Sequence, residues 1–556
     1  MEDINLVLVG AAGEGIQVIG GLLAEAVAAQ GYAVFAWQEL ESRIRGGHSR
    51  FSLRIGERAR NAPLEQADLL LALNDDAAGK YRPLVREGGL LVTPTEGEGG
   101  ALAVPFAQIA EEELGKKLYA NTVAVGFLAA AVGLASECLD RALERRFGSK
   151  GEEVLQANRE AVEAGRRLAQ ERCGDRCPWE LPRRKDRYFL VDGHTSLALG
   201  AARAGCRFLS AYPMSPSTSI ITYLAREQER LGVFVEQAED EIAAVNMAIG
   251  ASYAGARSMT ATSGGGFALM VEALSLAGMT ETPLVVTLAQ RPGPATGLPT
   301  RTSQGDLLFA VHAGHGEFPK VVLAPSDPVD AFHQTVRAFN LADRFQVPVI
   351  LLTDQLLAES LFSVEDLELG RSSPESHLAD PAEFEDYRRY RFAAGGVSPR
   401  LYPGQSEHLV AADSDEHDEA GHITEDLAGT ALPMMEKRLA KLDGLRSAVR
   451  RPEEVGVEAA EHVLVGWGSS REAVREAVEL LRRDGVAAGR IHFTELWPLP
   501  EYRFPEGKRY WTVESNATGQ LARLLRSEYP VEFQGRVSRY DGLPLTAEVI
   551  RSQFHG

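Results

Sequence analysis

The sequence predicts an α/β protein with three α/β domains, and three observations support this. The chain has 556 residues, more than one hydrophobic core normally organises. Its composition, 45% hydrophobic with 54 glycines and 27 prolines, is typical of many short turns between strands and helices. Short apolar runs alternate with helical periodicity, which indicates sheets covered by helices. The predicted domains are residues 1–180, 188–374 and 456–556, with an acidic irregular connection, interpreted as a surface excursion, over 375–455.

The first domain opens with a strand, a glycine turn and a helix. Apolar residues at 4–9 lead into Gly10, Gly13 and Gly15, and helical periodicity continues to about residue 29. This order predicts a doubly wound domain, followed by a charged, proline-bearing linker at 174–187. Its further strands are predicted at 33–37, 49–55, 69–73 and 89–93.

The spacing of the glycine turn, G-x-x-G-x-G, departs from the dinucleotide fingerprint G-x-G-x-x-G, so nicotinamide or flavin binding is disfavoured. A phosphate-containing ligand fits the turn better, because free amides and the helix dipole favour anions at a helix start. Arg43, Arg45 and His48 could add positive charge to such a site.

In the second domain, polar residues follow several predicted strands. Ser215 lies between two prolines after one strand, and Thr262 and Ser263 precede three glycines after another. Arg291 stands in a loop rich in proline and glycine, and a guanidinium matches a carboxylate through two parallel hydrogen bonds. Each loop alone is compatible with an ordinary turn, but together they indicate a ligand site at the strand exits. The buried strands are predicted at 258–261, 284–288, 320–323 and 347–352.

One helix of this domain begins with acid. Glu239, Asp240 and Glu241 precede the small and apolar run 242–254, which we expect to be buried on both faces. Glu241 would then lie at the rim of the interior and need a partner. The alternative is that the three acids only complement the positive end of the helix.

As a set, these motifs closely resemble the alpha subunit of the 2-oxoacid:ferredoxin oxidoreductases. The glycine turn and Arg45-Gly-Gly-His48 resemble the gamma subunit of the same enzymes, fused ahead of alpha. The resemblance implies a thiamine diphosphate pyrimidine-binding domain in the middle of the chain and a transketolase C-terminal-like domain at its end. The alpha-like motifs are Tyr212-Pro-Met-Ser-Pro, Glu239-Asp-Glu-Ile-Ala-Ala, Thr260-Ala-Thr-Ser-Gly, Gln290-Arg, Gly297-Leu-Pro-Thr, Gln304-Gly-Asp-Leu and Gly314-His-Gly-Glu.

The resemblance also implies catalytic roles. Glu241 would hydrogen-bond the aminopyrimidine ring nitrogen and favour the tautomer that removes the thiazolium C2 proton. Ser215, where the family usually has threonine, keeps the hydroxyl that would bind substrate, and Arg291 would face the oxoacid carboxylate. Gly265 replaces a proline that is common in the family. The cofactor pocket would be lined by Tyr212, Pro213, Thr262, Ser263 and Gly264, and Gly10, Gly13 and Gly15 would help to receive coenzyme A.

Two expected motifs are missing from the sequence. No Gly-Asp-Gly motif for a diphosphate-bound Mg²⁺ occurs, and the four cysteines cannot hold an iron–sulfur cluster. The family resolves both absences with a separate beta subunit, which would share the thiamine diphosphate and contribute Mg²⁺ and a 4Fe–4S cluster. We therefore expect no metal on this chain, a dimer of heterodimers with the beta subunit, and ferredoxin as a further partner.

The implied reaction is the oxidative decarboxylation of a 2-oxoacid with coenzyme A to acyl-CoA and CO₂, with reduction of ferredoxin, or its reverse. Of the possible substrates, 2-oxoglutarate is favoured by resemblance. A non-redox thiamine diphosphate enzyme and a non-catalytic nucleotide-binding regulatory protein are the alternatives.

Charge and cysteine content indicate which classes of partner and which cellular compartment to expect. A net charge of −20 argues against nucleic-acid binding, which depends on surplus Lys and Arg. Sparse cysteines favour a reducing cytoplasm. Because no apolar run is long enough for a bilayer and no signal-peptide pattern is present, we expect a cytoplasmic protein without a membrane partner.

Overall fold

The computed structural model describes residues 3–41, 47–96 and 100–555. The chain divides into two compact units, Met1–Val191 with Ser360–Glu365, and Asp192–Glu359 with Asp366–Gly556. The described residues contain three sheets with helices packed against them, which confirms the predicted α/β class.

The sheet of the first unit is mixed. Its strands are β1 (Ile4–Ala11), β2 (Ala33–Glu39), β3 (His48–Gly56), β4 (Ala67–Ala72), β5 (Val85–Thr93), β6 (Leu102–Ala103), β7 (Phe189–Val191) and β14 (Leu361–Val364), numbered in chain order. The order is β6-β5-β4-β1-β3-β2-β14-β7. β1, β4, β5 and β6 are parallel, whereas β3 pairs antiparallel with β1 and β2, because residues 40–47 are too few for a parallel crossover.

The helices of the first unit pack closely where glycine permits it. They are α1 (Ile16–Ala29), α2 (Asp75–Tyr81), α3 (Phe106–Leu114), α4 (Ala120–Ala131), α5 (Ser136–Phe147) and α6 (Glu152–Arg172). Gly126 of α4 and Gly165 of α6 each lie so near the facing backbone that a Cβ would collide with a carbonyl oxygen. Beyond α6, Cys173 and Cys177 form a disulfide, which the sequence analysis did not anticipate.

The second unit contains a seven-stranded sheet that is parallel except at one edge. Its strands are β8 (Phe208–Ala211), β9 (Phe234–Gln237), β10 (Ser258–Thr262), β11 (Leu284–Gln290), β12 (Val321–Leu323), β13 (Pro348–Asp354) and β18 (Glu495–Trp497). The order is β18-β12-β13-β11-β10-β8-β9, with β18 antiparallel to β12. The associated helices are α7 (Gly193–Arg203), α8 (Thr218–Arg226), α9 (Gln228–Leu231), α10 (Glu241–Tyr253), α11 (Gly264–Met279), α12 (Leu307–His312), α13 (Pro328–Phe345) and α14 (Gln355–Glu359).

A five-stranded sheet completes the second unit. Its strands are β15 (Glu453–Val455), β16 (His462–Trp467), β17 (Ala488–Phe493), β19 (Arg509–Glu514) and β20 (Phe533–Ser538), in the order β15-β17-β16-β19-β20. The helices are α15 (Leu432–Ala448), α16 (Arg471–Arg483), α17 (Gln520–Glu528) and α18 (Ala547–Gln553). One hydrophobic core joins residues from this sheet with residues from the seven-stranded sheet.

The interpretation of 375–455 as a surface excursion is wrong for an essential part of the segment. Lys437 and Lys441 of α15 are buried, and both ammonium groups lie 2.5 Å from the carboxylate of Glu281, which is fully buried. Although burial by itself raises the pKa of Glu281, the charges of Lys441, Lys437 and Arg389 bring that pKa down to about 2. The segment therefore holds part of the interior of the unit.

Candidate active site

Three adjacent parallel strands place the predicted site residues at one edge of the seven-stranded sheet. β8, β10 and β11 lie side by side, and their carboxyl ends lead to Ser215, Ser263 and Arg291 respectively. The carboxyl edge of a parallel sheet is the usual position of a ligand.

Glu241 is the first residue of α10, but it does not cap the helix. The Asp240 side chain accepts a hydrogen bond from the Ala243 N–H at 2.7 Å and fills that role. Glu241 is only 4% exposed, and its buried Oε1 has no hydrogen-bond partner in the described part of the chain. A buried carboxylate oxygen without a partner is costly, so its position points to a missing donor.

The start of α11 lies against this carboxylate. A Cβ on Gly266 would be 2.5 Å from Glu241 Oε1 and would collide with Thr262 Oγ1, so only glycine fits there. Ser263 precedes the helix at its N-cap position without making a side-chain cap, and its buried hydroxyl has no partner among the described residues. Gly265 faces open space, so a larger residue at that position would not collide with the protein.

Arg291 links two of the strand-exit loops. Its Nη1 donates to the backbone carbonyl of Ser215 at 2.6 Å, the one hydrogen bond of this guanidinium within the described residues. Its other donors are available to a ligand. Burial lowers the pKa of Arg291 and the charge of Asp306 opposes this, without changing the cationic state of an arginine near neutral pH. Ser215 and Tyr212 are exposed, and Pro213 is half-buried.

Asp306 belongs to this group of residues, although the sequence analysis gave it no role. A Cβ on Gly264 would be 2.8 Å from Asp306 Oδ2, and the Asp306 N–H donates to Gln290 Oε1 at 3.0 Å. Burial raises the pKa of this carboxyl to about 6, although the charge of Arg291 lowers it. Asp306 is the N-cap residue of α12, but its side chain makes no cap hydrogen bond.

The predicted glycine turn lies in the first unit, between β1 and α1. Gly13 and Gly15 have φ values of 92° and 73°, which favour glycine, and Gly15 is the N-cap residue of α1. The turn borders a cleft of about 340 Å³ to which Arg50 also contributes. Gly10 lies against the carboxylate of Glu14, and this carboxylate accepts a hydrogen bond from the Ala11 N–H at 2.6 Å. His48 begins β3, whereas Arg43 and Arg45 lie outside the described residues.

Known proteins resemble this chain along its whole length. Residues 199–437 match the family described as pyruvate flavodoxin/ferredoxin oxidoreductase, thiamine diphosphate-binding, and residues 5–168 match that described as pyruvate ferredoxin/flavodoxin oxidoreductase. The alpha subunit of 2-oxoacid:ferredoxin oxidoreductase 2 from Aeropyrum pernix is 33% identical over 98% of this chain and 96% of its own length. The chain belongs to the 2-oxoacid:ferredoxin oxidoreductase alpha-subunit family.

Two further similar proteins support this membership. The 2-oxoglutarate synthase subunit KorA of Archaeoglobus fulgidus is 37% identical over 56% of this chain and 82% of its own length. The solved 2-oxoglutarate:ferredoxin oxidoreductase from Magnetococcus marinus, with 2-oxoglutarate, coenzyme A and succinyl-CoA bound, superposes with a TM-score of 0.92 at 31% identity, covering 100% of this chain and 99% of that one. The resemblance predicted from the motifs is confirmed, and the chain is part of an oxidoreductase.

The residues at the sheet edge fit the pyrimidine end of thiamine diphosphate. The unpartnered Glu241 oxygen matches a ring nitrogen, the unpartnered Ser263 hydroxyl could bind a polar group of the same ring, and Gly265 leaves open space at the start of α11. No group of three or more His, Cys, Asp or Glu is arranged for a metal ion within residues 3–41, 47–96 and 100–555. No helix in those ranges is both long and apolar enough to cross a membrane.

Proposed function

We propose that this chain supplies the pyrimidine-activating and oxoacid-binding half of a coenzyme A-dependent 2-oxoacid:ferredoxin oxidoreductase. The reaction is oxidative decarboxylation to an acyl-CoA and CO₂ with reduction of ferredoxin, or its reverse. The single observation that supports this most strongly is the buried, unpartnered Glu241 carboxylate against the start of α11.

Glu241 has the first role in this proposal. Bound thiamine diphosphate supplies a nucleophilic carbon and an electron sink for the bond to CO₂. Glu241 holds a proton between its carboxylate and the pyrimidine ring nitrogen, in a place that excludes water. Thr262, Ser263 and Gly264 line the pocket from the end of β10 and the start of α11, and Tyr212 and Pro213 line it from the exit of β8.

Arg291 and Ser215 bind the substrate. The guanidinium of Arg291 is fixed by its bond to the Ser215 carbonyl, so its remaining donors are oriented for a carboxylate. The Ser215 hydroxyl is exposed beside it and donates to the oxoacid. The favoured oxoacid is 2-oxoglutarate, since the Archaeoglobus and Magnetococcus relatives are named for that substrate.

Exposed apolar side chains on α10 and α11, the two helices that begin at the site, support a partner subunit. The expectation that α10 is buried on both faces is wrong, because Ile242 is 50% and Met247 43% exposed, and Leu269 on the neighbouring α11 is 51% exposed. Apolar side chains grouped on adjacent helices are typical of an interface. A beta subunit docked there would contribute Mg²⁺, the diphosphate site and a 4Fe–4S cluster, reduce ferredoxin, and assemble with this chain as a dimer of heterodimers.

Gly10, Gly13 and Gly15 are proposed to help receive coenzyme A.

Replacement of Glu241 by glutamine tests this function. The change keeps the shape of the side chain but removes its capacity to hold a proton, so we expect turnover by the purified complex to fall about 100- to 10,000-fold. Turnover is measured as oxoacid-dependent, coenzyme A-dependent reduction of ferredoxin, with the subunits still co-eluting on gel filtration.

The matched control is Glu239→Gln, which changes an exposed acid two positions earlier and should leave turnover unchanged. Full activity of Glu241→Gln would contradict the proposal. Decarboxylation without any reduction of ferredoxin in the wild-type complex would instead favour a non-redox thiamine diphosphate enzyme.

A further inference from the structure

Asp306 and Glu241 contact the same glycine run from two different elements. A Cβ on Gly264 would lie 2.8 Å from Asp306 Oδ2, and one on Gly266 would lie 2.5 Å from Glu241 Oε1. The first turn of α11 therefore touches two carboxyl groups within three residues of chain. The proposed function uses only Glu241.

The backbone of Asp306 is fixed in place while its side chain is not bonded to the protein. Its N–H donates to Gln290 Oε1, and Gln290 Nε2 donates in turn to the Thr353 carbonyl at 3.1 Å. Gln290 is only 1% exposed, so this anchor is part of the interior. In the described part of the chain, no hydrogen bond or ion pair engages the Asp306 carboxylate, which is partly buried.

One charge acts on this carboxylate. Arg291 follows β11, and its positive charge opposes the effect of burial, which raises the pKa of Asp306 to about 6. Among the residues that the structure describes, the other groups in contact with Asp306 are uncharged, namely Gln290 at the end of β11 and Gly264 at the start of α11. Glu241 is the other acid that contacts the glycine run, at Gly266. With a pKa of about 6, Asp306 is mostly ionised at neutral pH, and a further rise of about one to two pH units in that pKa would protonate it.

Resting on the proposed function, in which Arg291 binds the oxoacid carboxylate, we propose that Asp306 takes up a proton when this carboxylate arrives. The bound carboxylate offsets the field of Arg291 and adds a like charge near Asp306, and both effects favour the neutral acid. Asp306 is thus a positioning residue that couples oxoacid binding to protonation. Binding is then tightest below the range in which free Asp306 ionises and weakens as the pH rises.

Calorimetry of an unreactive ligand tests the coupling without turnover. The complete complex, with its partner subunit, thiamine diphosphate and Mg²⁺, is titrated with oxamate and with N-oxalylglycine, which carry the carboxylate and adjacent carbonyl of a 2-oxoacid. We expect Kd in the wild type to rise above about pH 6, by up to about tenfold per pH unit. Titrations at pH 7 in two buffers of different ionisation enthalpy should show net proton uptake.

The decisive variant is Asp306→Asn, which has the shape of the neutral acid. We expect its Kd to be independent of pH and, at about pH 8, lower than that of the wild type, with no proton uptake. A residue with a merely structural role would give weaker binding instead. The control is Asp330→Asn, because burial also raises the pKa of Asp330 to about 6 but this residue lies at the start of α13. It should keep the pH profile of the wild type.

The results separate the two proposals. Equal pH profiles for wild type and Asp306→Asn, or weaker binding by Asp306→Asn at every pH, would overturn the role of Asp306 and leave the oxoacid site intact. Failure of both ligands to bind the wild-type complex at any pH would overturn the oxoacid site itself.

Discussion

Gly266 has no side chain, and this allows the Glu241 carboxylate to reach the start of α11. A Cβ there would occupy the space of Glu241 Oε1 and of the Thr262 hydroxyl. Replacing a glycine by alanine within a helix normally stabilises the helix by about 1 kcal/mol. At Gly266 the steric conflict makes the same substitution destabilising. Glycine is therefore needed here, despite its low helix propensity, so that the Glu241 carboxylate can lie against the helix.

We expect Gly266→Ala to lower ferredoxin reduction by the complex about 10- to 100-fold, because it displaces Glu241 from the pyrimidine. The unfolding midpoint should also fall, which thermal denaturation will measure. The control is Gly79→Ala on α2, where a Cβ meets nothing within 4 Å, and this variant should be at least as stable as the wild type. Wild-type turnover in Gly266→Ala would show that the contact has no role.

Sequence reasoning reached Glu241 and Arg291 because each stands out chemically, as an acid beside an apolar helix and as a cation in a proline-rich loop. It gave no role to Asp306, which it named only as part of the motif Gln304-Gly-Asp-Leu. Only the fold brings Asp306 to Gly264, forty-two positions earlier in the chain. The parallel core strands were predictable from their apolar runs, whereas the three- and four-residue strands β7 and β14 were too short to give a pattern.

At the scale of elements, α15 is held in place within the second unit by ion pairs as well as by apolar packing. Its Lys437 and Lys441 both reach Glu281, which follows α11 and has a φ of 48°. Nothing in the sequence indicated that these two lysines are buried, because lysine is mostly exposed unless it is paired. The partner acid is more than a hundred residues away, so the pattern of the segment alone indicated a solvated surface.

We expect Lys441→Ala to destabilise the protein by about 3 kcal/mol, because it leaves the buried Glu281 carboxylate with less compensating charge. Urea denaturation followed by circular dichroism measures this change. Arg446→Ala is the control on the same helix, where the side chain is exposed, and it should change stability by less than about 0.5 kcal/mol. Equal effects of the two substitutions would show that the buried ion pairs do not hold the helix.

At the scale of the whole molecule, the exposed apolar side chains of α10 and α11 are proposed to contact the beta subunit. Ile242→Lys places a charge among them, so we expect association to weaken about 30-fold or more while this chain stays folded. Co-purification and analytical ultracentrifugation measure the change. Leu369→Lys is the control at another exposed apolar position, 55% accessible, and should leave association intact. Normal assembly of Ile242→Lys would place the partner elsewhere.

The antiparallel pairing of β18 with β12 limits which segments can be exchanged between related proteins. The three residues Glu495–Trp497 close the edge of a sheet whose other strands end by residue 354, and Glu495 itself binds Arg337 at 2.7 Å. A chimera that exchanged everything after residue 455 for the tail of a distant relative would need a matching strand and a matching acid. Otherwise the open border of β12 would recruit other chains, and the graft would be recovered as aggregate.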